Sequence, residues 1–264
     1  MLSRRLYPLQ NNNFLRLFVG QNLVKLSAVA STNSYLKDLL SKSEPFPEGT
    51  VIMADDQFAG RGQMGNAWFS EAGLNLTFSI LLNPKFIGIH QQFDLNKAIS
   101  LALWDVLNPM LGPELKIKWP NDILFGDQKI AGVLIENILQ GNSWKHAIIG
   151  IGLNVNQLIF PSDLPMAISI KNILQTDCDL NLLLDDLCKA VEVRYLALKA
   201  GKNETLHRDY IQALYRFETE ANFGVNGEIK SGKITRISPS GSLCVNINGG
   251  DQEFGFKEIT FITD

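Results

Sequence analysis

The chain has 264 residues, 45% of them apolar and 19% charged, a balance that supports a folded core and not a disordered polymer. Its 24 basic and 27 acidic side chains leave a net charge of -3, without the basic excess of a protein whose main business is gripping nucleic acid. No apolar run approaches the ~20 residues of a membrane span, and three scattered cysteines (Cys178, Cys188, Cys244) offer neither a disulfide framework nor a metal clip, so a soluble cytoplasmic protein is expected.

Residues 1–20 carry Arg4, Arg5 and Arg16 but no acid. Asn11, Asn12 and Asn13 interrupt any amphipathic pattern, so a poorly ordered extension is expected there, not a transit peptide. Val24, Leu26 and Ala28 then alternate as in a strand. Ser31, Thr32 and Asn33 supply cap-type side chains before Tyr35, Leu36, Leu39 and Leu40, which share a helix face. Val51–Ala54 reads as a buried strand ending in Asp55, Asp56 and Gln57, and Leu74, Leu76, Phe78, Ile80 and Leu82 give the clearest alternation in the chain. Asp94 is placed to cap a helix with Leu95, Ala98, Ile99, Ala102, Leu103 and Val106 on its apolar face. Leu115–Trp119 alternates and stops at Pro120. Ile123–Phe125 and Ile130–Ile135 flank Gly126, Asp127 and Gln128 as a hairpin would. His146–Val155 is a further strand, and helices are expected over 180–200 and 204–218. Beyond Phe217, short strands (Gly227–Ile229, Lys233–Ile237, Leu243–Ile247, Glu253–Phe256) alternate with Ser/Gly/Pro turns and predict a small barrel. The expected organisation is an extension at 1–20, a main domain at 21–218 and a β-barrel at 219–264.

Three glycine-marked strand ends carry the polar residues that this pattern leaves over. Gly60-Arg61-Gly62-Gln63-Met64-Gly65 formally matches a dinucleotide fingerprint, yet a strand and not a helix follows, so no helix N-terminus is available for a pyrophosphate. No Gly-Lys-Ser/Thr ends it either, which excludes a P-loop. It remains a strand-to-strand loop whose Arg61 is either a forked cation for an anion or a solvated surface residue. Lys118, Asn121 and Asp122 flank Pro120, and Lys129 opens the apolar strand that runs to Glu136; Lys118 also reads as a solvated alternate residue and Asp122 as a turn-former. Gly150, Gly152, Asn154 and Asn156 mark the third strand end. His90, His146 and His207 are far apart, and structural roles are expected for them.

Taken in order, Ser31-Thr32-Asn33, Gln57–Gly62, Lys118–Asp122, Lys129–Glu136 and Gly150–Asn156 resemble the motifs of the biotin–protein ligase family, the biotin–[acetyl-CoA-carboxylase] ligases. The resemblance implies an α+β fold, a mixed β-sheet backed by helices, with a small C-terminal SH3-like β-barrel. It implies an enzyme that uses ATP to convert biotin to biotinyl-5'-AMP with release of pyrophosphate. The biotinyl group then passes to a lysine of a biotin carboxyl carrier domain of acetyl-CoA carboxylase or a related enzyme. By the same resemblance Arg61, Lys129 and Asp122 are catalytic, with Arg61 and Lys129 gripping the carboxylate and the α-phosphate as they approach. Ser31, Thr32, Asn33, Gln57, Arg61, Gly62, Gln63, Lys129 and Gly132 would bind biotin, and Arg61, Lys118, Asn121, Lys129 and Asn154 would bind ATP. Asp122 would help to hold Mg²⁺ or receive the incoming amine. A homodimer is a further expectation; a membrane or nucleic-acid partner is not, and residues 1–20 are too short for the DNA-binding domain that gives some relatives repressor activity. Gln63 stands where many members carry a second arginine, which predicts weaker retention of the adenylate. The alternative within the superfamily is a lipoate–protein ligase or octanoyltransferase.

Overall fold

A computed structural model describes residues 16–42, 46–141 and 143–262. The period-two runs form a seven-stranded sheet from β1 (Leu23–Val29), β2 (Val51–Gln57), β3 (Leu76–Leu82), β4 (Leu115–Lys118), β5 (Asp122–Phe125), β6 (Gln128–Gln140) and β7 (Ser143–Leu153). The strand order is β1-β2-β3-β7-β6-β5-β4; β1 and β2 run parallel and every other neighbour antiparallel. The helices are α1 (Thr32–Ser41), α2 (Gln92–Leu111), α3 (Ile170–Leu174), α4 (Leu180–Lys199) and α5 (Asn203–Ala213). A second, five-stranded antiparallel sheet follows, with β8 (Glu220–Val225), β9 (Glu228–Ile237), β10 (Leu243–Ile247), β11 (Gly250–Phe254) and β12 (Thr260–Phe261) in the order β11-β10-β9-β8-β12. It is a small SH3-like unit.

The alternation in β3 explains where a site can form. Leu76, Phe78, Ile80 and Leu82 point into the large core with α2 and α4, and all four are fully buried. The intervening residues face the α1 side, where Leu81 packs with Leu36, Ile52 and Ile148. Thr77 and Ser79, next along that face, are buried but polar. A sheet packed between helices has no general use for hydroxyls inside, so that face is apolar at one end and built for hydrogen bonding at the other.

Several boundaries differ from the sequence reading for identifiable reasons. Helix α2 starts at Gln92, continuing a 3-10 turn at Ile89–Gln91, so Asp94 lies in its first turn, 2.8 Å from Lys97 Nζ, and is not its cap. Helix α5 stops at Ala213 and not at 218, because Leu214 bridges to Ile117 and the Tyr215 N–H donates to Ile117 O at 2.9 Å. Tertiary pairing with β4 there overrides helix propensity. Helix α3 and strand β8 were not expected at all. Residues 1–15 of the expected extension lie outside the described residues. Its last part, 16–20, belongs to the fold: the N–H groups of Leu17, Phe18 and Val19 all donate to the Glu192 carboxylate, at 2.7–2.9 Å.

The small unit rests on the β4–β5 end of the large sheet. Trp119 Nε1–H donates to Gly241 O at 2.8 Å, and the Trp119 ring packs 5.2 Å from that of Phe256. Gly241 has φ +97°, and a Cβ there would lie 2.4 Å from the Phe93 ring, so only glycine fits this approach. Among the described residues, no helix is long and apolar enough to cross a membrane.

Candidate active site

The polar face of the large sheet is the floor of a cleft. Antiparallel pairing sets Ser79 opposite Gly150, Gly150 opposite Leu134, Thr77 opposite Gly152 and Gly152 opposite Gly132. The glycines leave room for side chains to lie flat across the sheet: a Cβ on Gly150 would fall 2.5 Å from Asn33 Oδ1, and one on Gly152 would fall 2.3 Å from Trp68 Cε2. The β6 and β7 glycines are thus the space in which Asn33 and Trp68 sit.

One end of the cleft is closed by a hydrogen-bonded polar wall. Ser31 occupies the N-cap position of α1 but makes no capping bond, so its hydroxyl remains for the cleft that it lines. The Thr32 N–H and hydroxyl both meet Gln57 Oε1, at 2.9 and 3.1 Å. Ser79 Oγ lies 2.7 Å from Thr32 Oγ1 and 2.6 Å from Asn33 Oδ1, while Asn33 Nδ2–H donates to Glu136 Oε2 at 2.9 Å. Thr32, Asn33 and Ser79 are at most 3% exposed, so their rotamers are held by one another.

Above the floor, residues 60–68 form a flap. Arg61 bridges to Ala67, the Gly62 N–H donates to Asn66 O at 2.7 Å, and the Trp68 N–H donates to Gly60 O at 2.9 Å. Gly62 and Gln63 line the cleft from this flap. Arg61 reaches across it to Glu136, with Nη2 2.5 Å from Oε2. The other end of the cleft belongs to Lys129, whose Nζ is 2.7 Å from Asp122 Oδ1 and 5.6 Å from the Trp68 ring centroid. It also lies 3.2 Å from where a Gly132 Cβ would be. Gly132 and Glu136 are four residues apart on β6, on the order of 13 Å. Arg61 and Lys129 line the same cleft, and without a ligand Glu136 holds the guanidinium at the end opposite Lys129.

A second, wider groove opens beyond Lys129 and Trp68. It encloses ≈ 270 Å³ against ≈ 50 Å³ for the cleft, and its wall is largely apolar, with Phe69, Phe160, Leu164 and Met166. Lys129 and Trp68 line both spaces. The Lys129 N–H donates to Met166 O at 2.6 Å and its carbonyl accepts from the Ile168 N–H at 3.0 Å, which fixes the groove wall to the start of β6. Asn154 lines the groove; its Nδ2–H donates to Ile168 O at 3.1 Å, but Oδ1 is buried without a partner among the described residues.

The remaining expected site residues lie less centrally. Asn121 lines the cleft, but its amide donates to Val133 O at 2.5 Å, a bond that braces β5 against β6. Lys118 lines neither space. Its ammonium stands 5.2 Å from the Phe261 ring centroid, and burial, partly countered by Asp122, pushes its pKa below the usual lysine range.

A model of the biotin/lipoate A/B protein ligase family matches residues 26–154, the stretch that lines the cleft and part of the groove. The biotin protein ligase of Aquifex aeolicus, solved in complex with biotin and ATP, superposes with a TM-score of 0.77 at 27% identity, covering 92% of this chain and 100% of that one. Residues 26–154 thus form a domain of the biotin/lipoate A/B protein ligase family. The biotin–[acetyl-CoA-carboxylase] ligase of Mycobacterium tuberculosis is 29% identical over 241 residues, 87% of this chain and 86% of that protein. The bifunctional ligase/repressor BirA of Bacillus spizizenii is 35% identical over 148 residues, 55% of this chain but only 45% of its own length. Within the family match, the sequence reading left Trp68 open between ligand site and core and did not single out Ser79 or Glu136 for the site. Ser79 is one of three polar alternates, with Asn75 and Thr77, between the apolar residues of Leu74–Leu82, and that was the signal available for it.

Proposed function

We propose that the chain is an ATP-dependent biotin–protein ligase. The observation that carries this reading is the pair of unlike spaces that share Lys129 and Trp68: a narrow cleft ending in a polar wall, and a broad apolar groove. A ureido group offers one carbonyl acceptor and two N–H donors, which match the hydroxyls and amides of Ser31, Thr32, Asn33 and Gln57. A dithiolane ring or a plain alkyl chain would desolvate the same wall without pairing it, at about 1–3 kcal/mol for each group left unmade, so the lipoate and octanoate alternative is disfavoured. With the head group at that wall, the acyl carboxylate points along β6 to Lys129. The adenine of ATP fits the groove, stacked among Phe160, Leu164 and Met166, and its exocyclic amine supplies the donor that Asn154 Oδ1 lacks.

In the first half-reaction, a biotin carboxylate oxygen attacks the α-phosphorus, the bond to the β-phosphate oxygen breaks, and pyrophosphate leaves with that electron pair. Two anions approach, and Lys129 is the cation between them. At ~4 Å and an effective dielectric of ~20 such a charge contributes roughly 4 kcal/mol. Asp122 holds the ammonium at the boundary of the two spaces in the ligand-free enzyme. In the second half-reaction a carrier lysine amine attacks the acyl carbon, gives up a proton and releases AMP, and Asp122 is the carboxylate beside that path. The partner is accordingly a biotin carboxyl carrier domain.

Mg²⁺ would come with the ATP phosphates and need only one or two protein carboxylates; Asp122, 2.7 Å from the Lys129 ammonium, is the carboxylate that would hold it.

The reading is tested by ATP–pyrophosphate exchange with biotin, lipoate and octanoate supplied separately. Exchange with biotin alone is expected. Exchange driven by lipoate or octanoate moves the chain to the lipoyl branch of the family, and no exchange with any of the three removes the ligase reading.

A further inference from the structure

We propose that Glu136 is a positioning residue that straps the glycine-rich flap shut over the head-group end of the cleft; this rests on the biotin-ligase reading above. The strand period places Gly132, Leu134 and Glu136 on one face of β6, with Gly152, Gly150 and Ile148 opposite them on β7. Glu136 thus stands at the far end of the same floor that carries Lys129. A carboxylate only 22% exposed on a strand in the middle of a sheet must be paired. Its partners are informative: one oxygen, Oε2, takes both the Arg61 guanidinium from the flap and the Asn33 amide from the polar wall. Among the described residues, this is the side-chain hydrogen bond that ties residues 61–67 to anything outside the flap. The flap's other bonds are internal, and its base is fixed by Trp68 lying over Gly152 and Gly132.

The strap also explains the size of the cleft. A volume of ≈ 50 Å³ holds roughly four waters, not a bicyclic head group. Entry requires the Arg61–Glu136 pair to part, and retention requires it to form again behind the ligand. Half-exposure of Arg61, at 43%, makes the pair weak enough to open on that cycle.

The test compares Glu136→Gln, Arg61→Met and the charge-swapped Arg61→Glu/Glu136→Arg protein in two measurements. Amide hydrogen exchange of residues 61–67 is read in the ligand-free enzyme, and association and dissociation of biotin are read by stopped flow. Loss of the strap should speed exchange of the flap and raise the biotin dissociation rate about 10-fold, a larger rise than in the association rate, while residues 76–82 keep wild-type exchange. The swapped pair should recover most of both. An Asn33→Ala variant, which removes the other bond of Glu136 along with the Ser79 and Leu134 contacts but spares the Arg61 pair, should leave flap exchange near wild type. The proposal is overturned if Glu136→Gln and Arg61→Met leave flap exchange and dissociation unchanged, or if Asn33→Ala alone reproduces the rise in flap exchange. A global rise in exchange that includes 76–82 and that the swap does not repair also overturns it, since Glu136 would then only hold the fold. If the wild-type enzyme binds no biotin, the ligase reading falls, whereas the ligand-free exchange still decides the strap.

Discussion

The two spaces that meet at Lys129 are built on opposite principles. In the cleft the polar groups have found one another: Thr32, Asn33, Ser79, Gln57 and Glu136 form a connected network in the ligand-free chain. In the groove the wall is apolar and wide, and the Asn154 Oδ1 below it has no partner among the described residues. A network already paired binds a new ligand only by exchanging hydrogen bonds, so it gains little affinity per contact but rejects a ligand that cannot replace what it displaces. An apolar groove gains affinity from area and discriminates little. On the proposed reading, selectivity for the acid falls to the cleft and affinity for the nucleotide to the groove.

The largest effect should come at the residue common to both. Lys129→Ala is expected to lower ATP–pyrophosphate exchange about 100- to 1000-fold, the usual loss on removing one preorganised charge from a transition state. Calorimetric binding of biotin alone should weaken far less. If binding of both substrates collapses along with exchange, Lys129 is a structural bridge between the spaces and not the cation of the reaction.

Next in size are two glycines that separate the spaces from each other. Gly150→Ala pushes on Asn33 and should raise KM for biotin while leaving KM for ATP alone. Gly152→Ala pushes on Trp68, which walls both spaces, and should raise both constants. Overpacking of this kind costs about 1–3 kcal/mol, or roughly 5- to 150-fold. Equal effects of the two variants on both substrates would erase the distinction between cleft and groove. Asn154→Leu should give a smaller rise in KM for ATP, about 5-fold, with KM for biotin unchanged; removing a buried acceptor whose partner is the ligand forfeits about one hydrogen bond.

Much of this arrangement is legible in the sequence, and the gaps have physical causes. The strands around the site follow from alternation, since Leu76–Leu82 and Ile130–Ile135 cannot bury one face otherwise. The glycines at 60, 62, 132, 150 and 152 are visible as departures from β propensity. Which cation meets which anion is not visible, because it depends on how far along β6 each side chain lands: Arg61 precedes Glu136 by 75 residues and meets it only through a flap folded back over the sheet. Trp68 and Trp119 are equally ambiguous as a pair of tryptophans near strand ends. One becomes the partition between the spaces. The other is the seat of the small C-terminal sheet, because Phe256 and Gly241 come from beyond residue 240 to cover it. Asp94 was misread as a cap since its ion pair with Lys97 obeys the same first-turn preference for acids.

The smallest predicted effect concerns the flap tip. Gln63 lines the cleft and brings hydrogen-bonding capacity without charge, and the guanidinium of Arg61 is engaged by Glu136 at the opposite end from Lys129. On the proposed reading, Lys129 is then the single cation at the anionic centre of the adenylate. An arginine at position 63 would add a second one on a partly solvated flap, where a charge contributes under about 1 kcal/mol. Gln63→Arg should accordingly slow the escape of biotinyl-adenylate by a few-fold, read as release of preformed intermediate into a trap of excess carrier, with the rate of its formation nearly unchanged. An unchanged escape rate would mean that retention is governed by flap closure through Glu136 and not by charge, and the cleft would then control how long the intermediate stays as well as which acid enters.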